Sequence, residues 1–263
     1  MDGKTIRMGR ISRNGLFLCV PMDHGISSGP IAGIDRLHRV LAEVSRGGAT
    51  CAVLNKGMIK SMKEHPGMGI LMHASASTSL GPDPNYKVRS SGVEEALRLG
   101  ADGVSVHVNI GAREESEMLY ELGYMSDEAD EWGMPLLAMM YPRGEHVKNP
   151  NDPATIAHVA RVGAELGADI VKCNYTGDRE SFSALVRSVP VPVIIAGGPK
   201  MDTDMDVLRL VRDAMDSGAA GVAFGRNVFQ HANPEAITRA IAEIIFDNAD
   251  VEKAAQELEV GRS

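Results

Sequence analysis

Eight short apolar runs, each bounded by turn residues, constrain this chain more than any other feature. They fall at 16–21, 51–54, 69–73, 103–108, 135–140, 169–173, 192–196 and 221–224. Each is strand-sized rather than helix-sized. Apolar residues at helical spacing fill most of the gaps, at 34–46, 92–100, 115–123, 155–167, 204–218 and 234–248. Strands alternating with helices predict a parallel sheet, and eight of them predict an α/β fold closed into a single (β/α)8 TIM barrel. The 263 residues match one such domain, which typically needs ~250. We expect one domain over 1–263, with 1–15 as an N-terminal extension and 247–263 as a C-terminal helix or tail. A doubly wound open sheet is the alternative topology. The pattern is weakest over 58–86, where Gly, Ser and Pro accumulate.

An internal repeat supports closure. Small-residue turns precede the even runs: Gly47-Gly48-Ala49, Gly100-Ala101-Asp102, Gly167-Ala168-Asp169 and Gly218-Ala219-Ala220. Glycine there lets a helix end in the left-handed conformation before the chain re-enters the sheet. Composition narrows the function. A net charge of −8 argues against nucleic acid as a partner. No apolar run approaches the ~18 residues of a membrane span. Cys19, Cys51 and Cys173 form no CxxC pair and lie inside strand-like runs, which suits a reducing, cytoplasmic setting.

In a barrel the chemistry sits at the C-terminal ends of the strands. The first run leads into Asp23-His24-Gly25-Ile26-Ser27, the fifth into Tyr141-Pro142-Arg143, the seventh into Gly197-Gly198 and the eighth into Gly225-Arg226. The sixth carries Lys172 between Val171 and Cys173. A lysine rarely enters a core without a task, and desolvation is expected to lower its pKa so that the neutral amine can attack a carbonyl. The plainer alternative is a lysine paired with a carboxylate inside the barrel. Lys56 and Lys200 follow their strands and read as anion-binding rivals. The two glycine turns and Arg226 fall where barrels build phosphate sites. Asp23 and Tyr141 are candidate proton-transfer groups; a loop-capping Asp23 and a rim-packing Tyr141 are the alternatives. His24, His73 and His107 also lie at strand ends, but without HxH or HExxH spacing they give no metal expectation, and no cofactor is expected.

These stretches together resemble the archaeal-type class I aldolase family. The matching motifs are Val20-Pro21-Met22-Asp23-His24-Gly25, Met139-Met140-Tyr141-Pro142-Arg143-Gly144, Gly167-Ala168-Asp169-Ile170-Val171-Lys172, Ala196-Gly197-Gly198-Pro199-Lys200 and Gly225-Arg226-Asn227-Val228-Phe229. They span nearly the whole chain in order. The resemblance implies a Schiff base on Lys172, Tyr141 as proton donor and Asp23 as base. It implies that the 23–27 loop, 141–143, Gly197-Gly198 and Gly225-Arg226 hold a sugar-phosphate ketose. Met22 before the Asp-His-Gly, and Ser27-Ser28 before Gly29-Pro30, favour one branch of the family over its fructose-bisphosphate aldolases. That branch joins a fragment of 6-deoxy-5-ketofructose 1-phosphate to L-aspartate semialdehyde, on the archaeal shikimate route to aromatic amino acids. The resemblance also implies a homo-oligomer, with a decamer among the candidate sizes. A non-enzymatic sugar-phosphate-binding barrel is the alternative from another class, and it leaves Lys172 unexplained.

Overall fold

A computed structural model of the chain describes residues 2–260; Met1 and the 261–263 end of the expected tail lie outside the described residues. Eight parallel strands close into a barrel. We label them β1 (Phe17–Pro21), β2 (Cys51–Asn55), β3 (Gly69–His73), β4 (Gly103–Ile110), β5 (Leu136–Pro142), β6 (Ile170–Cys173), β7 (Val193–Ala196) and β8 (Gly221–Ala223). Every strand pairs with its neighbours in sequence, and β8 returns to β1 through Phe17↔Gly221 and Cys19↔Ala223. The eight apolar runs therefore coincide with the eight barrel strands.

Alternation along the strands separates two cores. Phe17, Cys19, Cys51, Val53, Leu137, Met139, Ile170 and Ile194 fill the lumen. Leu18, Val20, Ala52, Leu54, Ala138, Met140, Val171 and Cys173 face the surrounding helices. The four small-residue turns behave as the sequence demands: Gly48, Gly100, Gly167 and Gly218 have φ of 96°, 75°, 91° and 91°. Such values cost an L side chain ~1 kcal/mol or more, and glycine nothing.

Three helical features differ from the sequence pattern. Helix Glu115–Glu131 runs past Gly123, because Met118, Leu122, Met125 and Ala129 continue one buried stripe at spacings of three and four. Helix Arg179–Ser188, absent from the expected set, is capped by Asp178, whose carboxylate accepts from Ser181 N, and buries Phe182 and Leu185. The described residues of the expected extension, 2–15, pack into the barrel. Helix Gly3–Ile11 buries Ile11 completely among the lumen residues. Its Lys4 pairs with Asp169 at 3.0 Å and its Arg10 with Asp102 at 3.3 Å, just before β6 and β4. The helix thus plugs the N-terminal end of the lumen. Ile11→Ala should cost about 2–5 kcal/mol through the cavity it leaves. Chemical denaturation checks this; a loss under 1 kcal/mol would show that the plug contributes little. At the other terminus, helix Val251–Val260 packs on helices Pro234–Asp247 and Asp204–Asp216.

The weak stretch at 58–86 becomes a short helix, Lys56–Ser61, then β3, then an excursion between β3 and β4. In the excursion Ser75–Ala76 pairs antiparallel with Val88–Arg89. Asn109 Nδ2 donates to the Asn85 carbonyl at 2.7 Å, which ties the excursion to the C-terminal end of β4.

Candidate active site

A cavity of about 340 Å³ opens at the C-terminal end of the barrel. Lys172 reaches it because Ile170 and Lys172 point into the lumen while Val171 and Cys173 point out. Its side chain is buried, 7% exposed. The register sets Lys172 beside Met139 on β5, so Tyr141, two residues further on, stands one layer nearer the mouth. Tyr141 lines the same cavity as Lys172 and favours its charged form. Asp23 lies at the end of β1 and lines the same cavity. Its carboxylate lies 3.8 Å from His24 Nδ1 and 3.7 Å from His73 Nε2.

The electrostatics of this group depart from the sequence expectation. Burial does push the Lys172 ammonium towards deprotonation, but Tyr141 and Asp23 outweigh it and raise the pKa above 10.5. The resting lysine is therefore an ammonium held by its neighbours, and desolvation alone does not free the amine. Burial pushes the Asp23 carboxyl up, while attraction to His73, His24 and Lys172 carries it below 3.8 overall. Burial lowers His24 and His73 despite Asp23, and lowers His107 well below 6.5. Neutral imidazoles thus surround one carboxylate and one ammonium. A proton must leave Lys172 within the site before attack.

This has a measurable consequence. The free amine is a minor species at neutral pH, so imine formation rises as pH increases. Asp23→Asn removes a charge that holds the ammonium and lowers the Lys172 pKa. The rising limb of borohydride trapping against pH should move to lower pH in that variant. A limb that stays in place or moves up would contradict the assignment of Asp23 as the counter-charge.

Ile26, Ser27, His24 and Arg143 line the cavity, as do Gly197, Gly198, Gly225 and Arg226. Gly198 has φ 63°, and a Cβ there would meet nothing within 4 Å, so its turn faces open cavity. Arg226 Nη2 donates to the Gly198 carbonyl at 3.0 Å, while its Nε is buried without a partner among the described residues. A backbone turn and an unspent guanidinium donor side by side can hold an anionic oxygen group. Asn227 fixes this turn from below, donating to the Gly197 carbonyl at 3.0 Å and accepting from Met201 N at 2.7 Å.

Two expected residues stand outside the cavity lining. Gly25 starts the one-turn helix Gly25–Ser28 and borders a separate apolar groove. Pro142 is the last residue of β5 and pairs with Ile110. The rival lysines are also apart. Lys56 Nζ donates to the Ser90 carbonyl at 2.7 Å and Lys200 Nζ to the Gln230 carbonyl at 3.0 Å, and neither lines the cavity. Among the described residues no cluster of three or more His, Cys, Asp or Glu is arranged to hold a metal ion.

The barrel places the buried Lys172 beside Tyr141 and Asp23 in one cavity, and known proteins share this architecture. Residues 17–231 match the model of the DeoC/LacD family of aldolases. The chain belongs to that family. The 2-amino-3,7-dideoxy-D-threo-hept-6-ulosonate synthase of Halobacterium salinarum is 44% identical over 253 residues, covering 96% of this chain and 95% of the relative. The 2-amino-4,5-dihydroxy-6-oxo-7-(phosphonooxy)heptanoate synthase of Streptomyces griseus is 39% identical over 250 residues, covering 93% and 91%. Among solved structures, an archaeal fructose-1,6-bisphosphate aldolase superposes with a TM-score of 0.86 at 32% identity, covering 92% of this chain and 99% of the other. In that structure the catalytic lysine is covalently bound to the carbinolamine intermediate of its substrate.

In this DeoC/LacD aldolase the excursion between β3 and β4 brings cavity residues the sequence did not signal. Lys87, at the end of the excursion between β3 and β4, lines the cavity with Ser75, Ser77 and Asn85. It lies just past the stretch of weakest periodicity, and only the folded excursion carries it over the mouth. His73 and His107 were visible as strand-end residues. In the structure His73 Nδ1 bonds Ser105 Oγ at 2.8 Å and His107 Nε2 bonds Asn109 Oδ1 at 2.9 Å. His107 also packs on the Tyr141 ring, with centroids 5.0 Å apart. Both imidazoles brace the site.

Proposed function

We propose that this chain joins an enamine, formed on Lys172 from a phosphorylated ketose, to the aldehyde of L-aspartate semialdehyde. The observation that carries the proposal is the single buried grouping of Lys172, Tyr141 and Asp23 at the barrel mouth. The halobacterial relative supports the substrate pair. Lys172, relieved of its proton within the site, adds to the ketone. Asp23 takes up and returns protons as the carbinolamine loses water to the imine. Carbon–carbon cleavage releases an aldehyde and leaves the enamine. The enamine carbon attacks the incoming aldehyde while Tyr141 protonates the new alkoxide. Water then hydrolyses the imine and restores the lysine.

The donor that fits the halobacterial relative is 6-deoxy-5-ketofructose 1-phosphate, which would lose hydroxypyruvaldehyde phosphate. The Gly198–Arg226 turn favours a second donor on the same site. The product named for the Streptomyces relative keeps a phosphonooxy group on the carbon next to its ketone. The ketone carbon is the one bonded to the lysine, so such a phosphate falls beside β6, near the turn that closes β7. Disconnecting the aspartate semialdehyde carbons from that product leaves dihydroxyacetone phosphate. One assay separates the readings: purified protein, L-aspartate semialdehyde, and each donor in turn, with the product weighed by mass spectrometry. A seven-carbon amino acid from either donor supports the proposal and identifies the donor. No such product, with fructose 1,6-bisphosphate cleaved instead, overturns it. The assembly state implied by the resemblance, a homo-oligomer, is open to light scattering on the same sample.

A further inference from the structure

The cavity mouth carries two separate groups of cationic side chains. Arg226 and the Gly198 turn follow β8 and β7. Lys87 arrives from the excursion between β3 and β4, which stands opposite β7 and β8 in the closed strand order. Arg143, at the end of β5, belongs with Lys87: it lies close enough to depress the Lys87 ammonium, after burial, and its guanidinium stacks over the Tyr141 ring at 4.6 Å. The neutral His107 senses both cations. Among the described residues neither Lys87 nor Arg143 is in salt-bridge contact with a carboxylate. Lys87 is nevertheless held in place, since its Nζ donates to Ser77 Oγ and to the Pro84 carbonyl. Ser77 Oγ in turn donates to the Pro84 carbonyl at 3.0 Å. Lys87, half-buried and held by the excursion, and Arg143, exposed above the Tyr141 ring, both line the cavity and repel each other, and an anion from outside the chain satisfies both.

We infer that Lys87 and Arg143 form an anion subsite for the acidic group of the aldehyde partner, across the mouth from the Gly198–Arg226 turn. This rests on the aldol reading of Lys172. Both synthase relatives are named for heptanoate-type products with the acid five carbons from the ketone, too far to share the turn beside β6. The released and the entering aldehyde react at the same enamine carbon, so any anion on the leaving aldehyde visits this subsite first. The shared chemistry is a carboxylate or a phosphate on an aldehyde. Lys87 is then a specificity-determining residue that fixes which aldehydes are accepted.

The test compares charged and neutral aldehydes with one donor held at saturation, so that weaker binding of a leaving aldehyde's own anion does not enter the comparison. Lys87→Gln removes the charge and retains an N–H donor for Ser77 and Pro84; Lys87→Arg restores the charge. For Lys87→Gln, kcat/KM with L-aspartate semialdehyde should fall about 10- to 100-fold, as loss of a charge-assisted contact implies. The fall should appear in KM. Turnover of propanal and the amount of donor trapped by borohydride should stay within about 2-fold of wild type, the latter showing an intact site. Lys87→Arg should recover most of the loss. Equal losses on both aldehydes, or none on either, overturn the subsite. If wild type uses glyceraldehyde 3-phosphate and rejects L-aspartate semialdehyde, the synthase reading falls. The same ratio with glyceraldehyde 3-phosphate against propanal then judges the subsite alone: a loss confined to the phosphate supports it, and a uniform response overturns it.

Discussion

Replacing Lys172 with methionine leaves a folded barrel that forms no borohydride-stable adduct and turns over on the order of 10⁴- to 10⁶-fold more slowly, the scale expected when a covalent nucleophile is removed. Methionine suits the position. It fills the lysine stem's volume between Ile170 and Tyr141 and brings no polar atom that needs a partner. Asp23 then keeps His24 and His73 as neighbours, so its carboxylate is not left alone. The far-ultraviolet spectrum and the thermal transition should report a native fold. A variant that is folded and retains one per cent of wild-type activity would show that covalent catalysis is not the route.

The second large effect concerns Tyr141. Tyr141→Phe should turn over ~10²- to 10⁴-fold more slowly, the worth of a positioned acid–base group, while still forming the imine. The ring remains, so its contacts with His107 and Arg143 persist. Asp23→Asn should also be slow, but earlier in the cycle, with less trapped adduct at the wild-type optimum. The two variants therefore part on one observable, the quantity of donor reduced onto Lys172. Equal trapping would refute the division of labour and leave the lysine untouched. Near-normal turnover of Tyr141→Phe would make the phenol a rim residue. His24, with an unpartnered buried Nδ1, would then be the next proton carrier to examine.

The barrel was legible because its signals are local. Each strand is a short apolar run, and the turns before the even strands announce themselves with a glycine that adopts positive φ. Lys172 was legible for the same reason, as a charge inside an apolar run whose alternation turns it inward. What the sequence concealed depends on long-range placement. Ile11 reads as one apolar residue in a charged N-terminal stretch, and only the barrel's open lower end explains its burial. Lys87 follows directly on a segment with neither helical nor strand periodicity, and the partners that hold it, Ser77 and Pro84, belong to that same excursion. The protonation state of Lys172 was misjudged because desolvation is a property of one position, whereas the Asp23 and Tyr141 contributions require knowing which strand ends meet.

Lys172, and no other lysine, is expected to become covalently attached to substrate. Reduction with borohydride in the presence of the ketose phosphate, followed by proteolysis and peptide mapping, tests it most directly. The expected result is a single modified peptide carrying the reduced donor fragment on Lys172. An adduct on Lys56, Lys87 or Lys200, or an unmodified protein under conditions of turnover, would contradict it.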